Sequence, residues 1–193
     1  MIIFEVIIFM KKILLIVFLI PFICQAQSYR EEYLCENRID EYTHDSIMRT
    51  NWFVLARGVI GDQFNLFFRI SSINGEYFLD LKAMDAGYLI VVARNAPLDL
   101  LLEGDIKIRL YNSSYQASCT GCGARGYNGS DAHGITLSYP VPKADMEKLQ
   151  YYYLDKVKLY CANGYWLKKV NDNNSELFMS QVNLIYNSGI RFK

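Results

Sequence analysis

Cys119-Thr-Gly-Cys122-Gly123 is the stretch of this chain with the sharpest chemical signature. Two cysteines separated by two residues and followed by glycine have the spacing of one half of a tetrahedral zinc site. A closed structural site needs four ligands, and hence a second such pair. Only one is present, so Cys35, Cys161 or His133 would have to complete the set from distant segments. The same spacing serves as a redox pair when its first cysteine stands at a helix N-terminus, which lowers the thiol pKa. Here Gly121, Gly123, Gly126 and Gly129 make the surroundings a loop. A structural disulfide or two loop thiols is the expectation, with a zinc or thiol function as its rival.

Ser130-Asp131-Ala132-His133 supplies three residue types used in acyl transfer. A triad is defined by spatial geometry that adjacent loop residues rarely provide, so Asp131 and His133 mark a weak alternative site, that of a small hydrolase. His44 has no evident partner, and no Walker A loop, His-Glu-x-x-His or paired-carboxylate pattern occurs. Tyr152, within Tyr151-Tyr152-Tyr153, could join Tyr165 and Trp166 as an aromatic platform facing a ligand, although such residues more often fill strands and interfaces.

The elements that position these residues begin after an address. Met10 to Gln27 reads as a secretory signal peptide: Lys11 and Lys12 form the charged region, Ile13 to Ile23 the apolar one, and Cys24-Gln25-Ala26 the cleavage site. Residues 1–26 are therefore expected to be removed, with Met10 as the suspected true start. What remains is about 167 residues with 18 basic and 19 acidic side chains, enough for a single core. The expectation is an exported protein, periplasmic or secreted, with no membrane span after cleavage. A net charge near zero gives no general attraction for nucleic acid. Four cysteines remain, Cys35, Cys119, Cys122 and Cys161, and an oxidising compartment makes disulfides their default fate. Cys119 would pair with Cys122, or a longer link would reach Cys161, while Cys35 could staple an N-terminal arm.

Composition favours strands, with 15 Tyr and 11 Phe. Phe64 to Ala83 contains two alternating runs joined by Asn74-Gly75, a two-residue hairpin signal. With that loop Ile70 faces Leu79, Phe68 faces Leu81 and Leu66 faces Ala83. Short strands follow at Tyr88 to Val92, Leu98 to Leu102, Ile106 to Leu110, Ile135 to Tyr139 and Val157 to Cys161. A second hairpin at Asn163-Gly164 would set Lys158 opposite Lys169, an unfavourable pairing. A short helix is predicted around Asp145 to Tyr152. A terminal one from about Asn174 to Asn187 has Asn173 and Glu176 at capping-box spacing and Phe178, Val182 and Ile185 on one face. The class is mainly β: an antiparallel β-sandwich or curled sheet with one short helix and a C-terminal helix packed on it. Residues 27–50 form an N-terminal arm and 51–193 the domain.

The order of pieces, Phe68 to Lys82, a Gly-rich loop leading to Ser138-Tyr-Pro140, Asp145 to Leu149, and Lys156 to Tyr160 before a Gly164-Tyr165 turn, resembles a group of small exported Bacteroidota proteins of unknown function. The likeness covers about residues 50–186. It implies a β-rich fold and an exported compartment, and it carries neither an activity nor a catalytic residue. The leading expectation is a non-catalytic domain without a cofactor that binds a protein or an envelope component.

Overall fold

The computed structural model describes residues 33–58, 64–85, 87–120 and 133–189. The expected signal peptide, Cys122 and Asp131 lie outside them.

Strands β4 (Asn65–Ile73) and β5 (Glu76–Asp85) form the hairpin read from the sequence, with Ile70 opposite Leu79, Phe68 opposite Leu81 and Leu66 opposite Ala83. Asn74 and Gly75 both take positive φ, 53° and 83°, the conformation that a two-residue loop matching strand twist requires. All six side chains are at most 1 % exposed.

On the far side of β5 lies β11 (His133–Val141), followed by β10 (Cys119–Thr120). On the far side of β4 the neighbour is split in two. Strand β2 (Ser46–Thr50) pairs with Ser71 to Ile73, and β3 (Phe53–Ala56) with Leu66 to Phe68. In the break between them, Thr50 Oγ1 accepts the Ile70 N–H at 3.0 Å, replacing the carbonyl that a continuous strand would have supplied. Strand β1 (Leu34–Ile39) pairs with β2 at the edge. The stretch read as an N-terminal arm thus supplies two strands of the main sheet. Its polar sequence hid them because β1 is an edge strand with little to bury.

A four-stranded antiparallel sheet has the order β13-β12-β7-β8, from β7 (Pro97–Leu102), β8 (Lys107–Tyr111), β12 (Leu154–Cys161) and β13 (Gly164–Lys169). A small ribbon joins β6 (Val91–Val92) to β9 (Gln116–Ala117). The β12–β13 register corrects the sequence reading. Cys161 lies opposite Gly164, so the loop is Ala162-Asn163, and Lys158 faces Leu167. Gly164 is spent inside the strand at φ 124°, a conformation that excludes other residues.

Helix α1 (Lys143–Leu149) buries Met146 and Leu149, and α2 (Asp172–Gly189) buries Phe178, Val182 and Ile185. The cap of α2 is Asn171, whose Oδ1 accepts the Asn174 N–H at 2.8 Å, rather than Asn173. One continuous core takes the apolar faces of both sheets and of the two helices. Phe178 packs its ring 5.0 Å from that of Phe68, and Trp166 on β13 stacks on Phe64 at 4.6 Å. No helix among the described residues is long and apolar enough to cross a membrane. Phe178→Ala is expected to cost about 3–5 kcal/mol through the cavity it leaves, measured as a fall in the urea midpoint at unchanged m-value.

Candidate functional site

Strict alternation along the four-stranded sheet sends Leu98, Leu100, Ile108, Leu110, Val157 and Leu159 into the core, each at most 2 % exposed. The intervening residues line the other face, where side chains recur at every second position. Their registers place them in three rows across the strands. Lys169, Lys156, Leu101 and Lys107 make one row, and Leu167, Lys158, Asp99 and Arg109 the next. The third row holds Tyr165 opposite Tyr160, and Tyr111 on β8 opposite Pro97. Five cations and three tyrosines therefore share one face with a single carboxylate. Tyr165, Leu167 and Tyr111 are each more than half exposed.

Asp99 organises this surface. Only 6 % exposed, it accepts a bidentate pair of hydrogen bonds from Arg109, Nε at 2.6 Å and Nη2 at 2.8 Å. The Tyr160 hydroxyl donates to it at 3.2 Å, and Lys107 Nζ lies 3.0 Å away. The Arg109 hydrogen bonds pull the Asp99 carboxyl down to about 2, against the opposing effect of burial. One buried anion thus fixes the heads of two cations and one tyrosine.

Lys158 lies over two rings, its Nζ 3.8 Å from the Tyr165 centroid and 4.7 Å from that of Tyr160. Hydrogen bonding to Tyr160 raises its pKa further, which keeps it charged. Lys156 faces Lys169 directly across the hairpin. Like charges so placed repel, and Lys156 offsets this in part through Asp155, 3.2 Å away.

The residues singled out by sequence do not converge. Cys35 and Cys161 are free thiols, which overturns both the proposed staple at Cys35 and the long link to Cys161. Burial pushes the Cys161 thiol up, making it a poor nucleophile at neutral pH. Cys119 is disulfide-bonded, and no disulfide joins two described cysteines. His133 is half-buried opposite Thr120, one register step from Cys119, so their side chains leave opposite faces of the sheet. Its Nδ1 is buried with no hydrogen-bond partner, leaving nothing on that atom to orient it as a catalytic base. Among the described residues no cluster of three or more His, Cys, Asp or Glu is placed to hold a metal ion.

The expected aromatic platform is divided. Trp166 turns inward onto Phe64, and Tyr152 is exposed before the start of β12. Tyr165 pairs near its other end, roughly 20 Å along the strand. Only Tyr165 belongs to the basic face. The missed residues had a signal: Lys107-Ile-Arg-Leu-Tyr111 and Lys156-Val-Lys-Leu-Tyr160 repeat one pattern of cation, apolar, cation, Leu, Tyr. Both strands are antiparallel to β7, so the two copies run in the same direction on either side of it.

No family model, curated protein or solved structure matches the chain. The arrangement of this face therefore carries the functional reading.

Because the folded-state pKa of Asp99 lies below the unfolded one, its stabilisation is present above about pH 4 and is lost as pH falls towards 2. Asp99→Asn is expected to lower the unfolding free energy by about 2 kcal/mol at pH 7. Urea titrations of both proteins should show the gap closing as the pH approaches 2. Lys169→Gln should instead stabilise the chain by about 0.2–1 kcal/mol at low ionic strength by removing half of a repelling pair. Thermal melts in increasing salt should shrink that gain.

Proposed function

We propose that this protein is an exported, non-catalytic binding domain that engages an anionic component of the cell envelope through the outer face of its four-stranded sheet. The observation that carries the reading is the row-by-row gathering of Lys107, Arg109, Lys156, Lys158 and Lys169 on one exposed surface whose three rows hold one carboxylate, the buried Asp99, with Asp155 reaching Lys156 from outside them. A near-neutral chain that concentrates its cations in this way has a strongly positive local field despite its net charge. The tyrosine hydroxyls and ring edges beside the cations add polar and apolar contacts of the kind that fix a ligand's orientation.

A thiol or metal function has less support. The Cys119 sulfur is held in a disulfide, and the Cys161 thiol is disfavoured as a thiolate. Export is consistent with the signal-like stretch before Gln27.

The test is retention of the purified protein on isolated envelope material at low ionic strength, followed by elution in salt. Retention by the wild type and its loss in the Lys107→Glu, Lys158→Glu double variant, with both proteins folded by circular dichroism, is the expected result. Equal retention of the double variant would reject this face as the binding surface.

A further inference from the structure

Resting on that reading, we infer that the ligand is a linear acidic polysaccharide bearing a carboxylate on each sugar, lying across the strands along the Lys169, Lys156, Leu101, Lys107 row. Three lysines occupy the first, second and fourth places of this row. Neighbouring strands stand about 4.8 Å apart, close to the length of one pyranose unit, so Lys156 and Lys107, two strands apart, match the step at which a two-fold chain returns a carboxylate to the same side. The direct opposition of Lys156 and Lys169 is a repulsion that an anion seated between them relieves. Leu101, half-buried in the third place, presents an apolar patch suited to the C–H face of a sugar.

The tyrosines argue for sugar over nucleic acid. Binding of single strands depends on bases stacking on open aromatic faces. Here the Lys158 ammonium already lies over the rings of two of the three tyrosines, Tyr160 and Tyr165, and Tyr111 alone does not make a run of stacking faces. Tyr165 remains more than half exposed, and its edge and hydroxyl suit the hydroxyls of a neighbouring sugar. A lipid surface is disfavoured by the shortage of aliphatic anchors, since Leu167 is the only exposed aliphatic residue in the three rows.

The experiment is isothermal titration of the purified protein with polygalacturonate, against neutral dextran, single-stranded oligothymidylate and poly-L-glutamate, at low and at physiological ionic strength. Expected are salt-sensitive binding to polygalacturonate, none to dextran, and weaker binding to the other two polyanions. Lys156→Gln, Lys169→Gln and Lys107→Gln should each weaken binding roughly threefold to fivefold, and the triple variant more than tenfold. Arg38→Gln, on β1 of the other sheet, should leave it unchanged. Thermal melts confirm that each variant folds. Tighter binding of oligothymidylate or poly-L-glutamate, or an unaltered affinity in the triple variant, would overturn the assignment. If the wild type is held by envelope material yet ignores polygalacturonate, the acidic-sugar assignment fails while the basic face stands as the binding surface. If the triple variant is held by that material as firmly as the wild type, both fail.

Discussion

Burial of one face of the Asn74-Gly75 hairpin is the constraint from which the rest of the molecule follows. A two-residue loop permits a single register, and a slip of one residue would turn the apolar set of one strand, Leu66, Phe68 and Ile70 or Leu79, Leu81 and Ala83, to water. At about 1.5–3 kcal/mol for each large side chain, no alternative pairing competes. Once that face is fixed inward, Phe178 of α2 settles on Phe68, and the four-stranded sheet joins the same core. The outer face of that second sheet is then free to carry residues that a core would reject.

Each sheet handles its outer face with the same device. Asp80 on the main sheet is 6 % exposed and accepts from Arg69 Nε, Ser71 Oγ and Ser138 Oγ. Asp99 on the smaller sheet is equally buried and bonded to Arg109 from the neighbouring strand. The difference lies in the remaining partners. Asp80 spends its other lone pairs on neutral hydroxyls, giving a closed network of modest charge. Asp99 gathers a second cation and a tyrosine, so that its surroundings stay net positive. Removing either carboxylate releases its arginine with a different consequence: the Arg109 side chain, 42 % exposed, can turn to water, whereas that of Arg69, 23 % exposed, has less access to it.

The local fold signals were legible where geometry leaves little freedom. Asn74-Gly75 dictated its hairpin, and Phe178, Val182 and Ile185 dictated the buried face of α2. The Ala162-Asn163 loop misled because Asn-Gly is a strong turn signal, and only the packing of β12 against β7 decides that Gly164 belongs to the strand. Strands β1 and β2 were illegible for a different reason. They are completed by β4 and by the Thr50 hydroxyl, not by an apolar alternation of their own. The basic face was written in plain view at Lys107 to Tyr111 and Lys156 to Tyr160. Alternation drew attention to the apolar half of each run, while the charged half acquires meaning only when β7 is seen to lie between two copies of one pattern.

The outward lysines also bear on how such a chain survives at high concentration. Strands β13 and β8 are the end strands of the smaller sheet among the described residues, the positions at which a strand from another molecule would add. A second molecule approaching β8 margin to margin would bring Lys107 and Arg109 against their own counterparts, and one approaching β13 would do the same with Lys168 and Lys169. The arrangement that makes the face positive therefore also guards its borders against runaway sheet extension, so trading these cations for neutral residues would shift the chain towards fibrous aggregates.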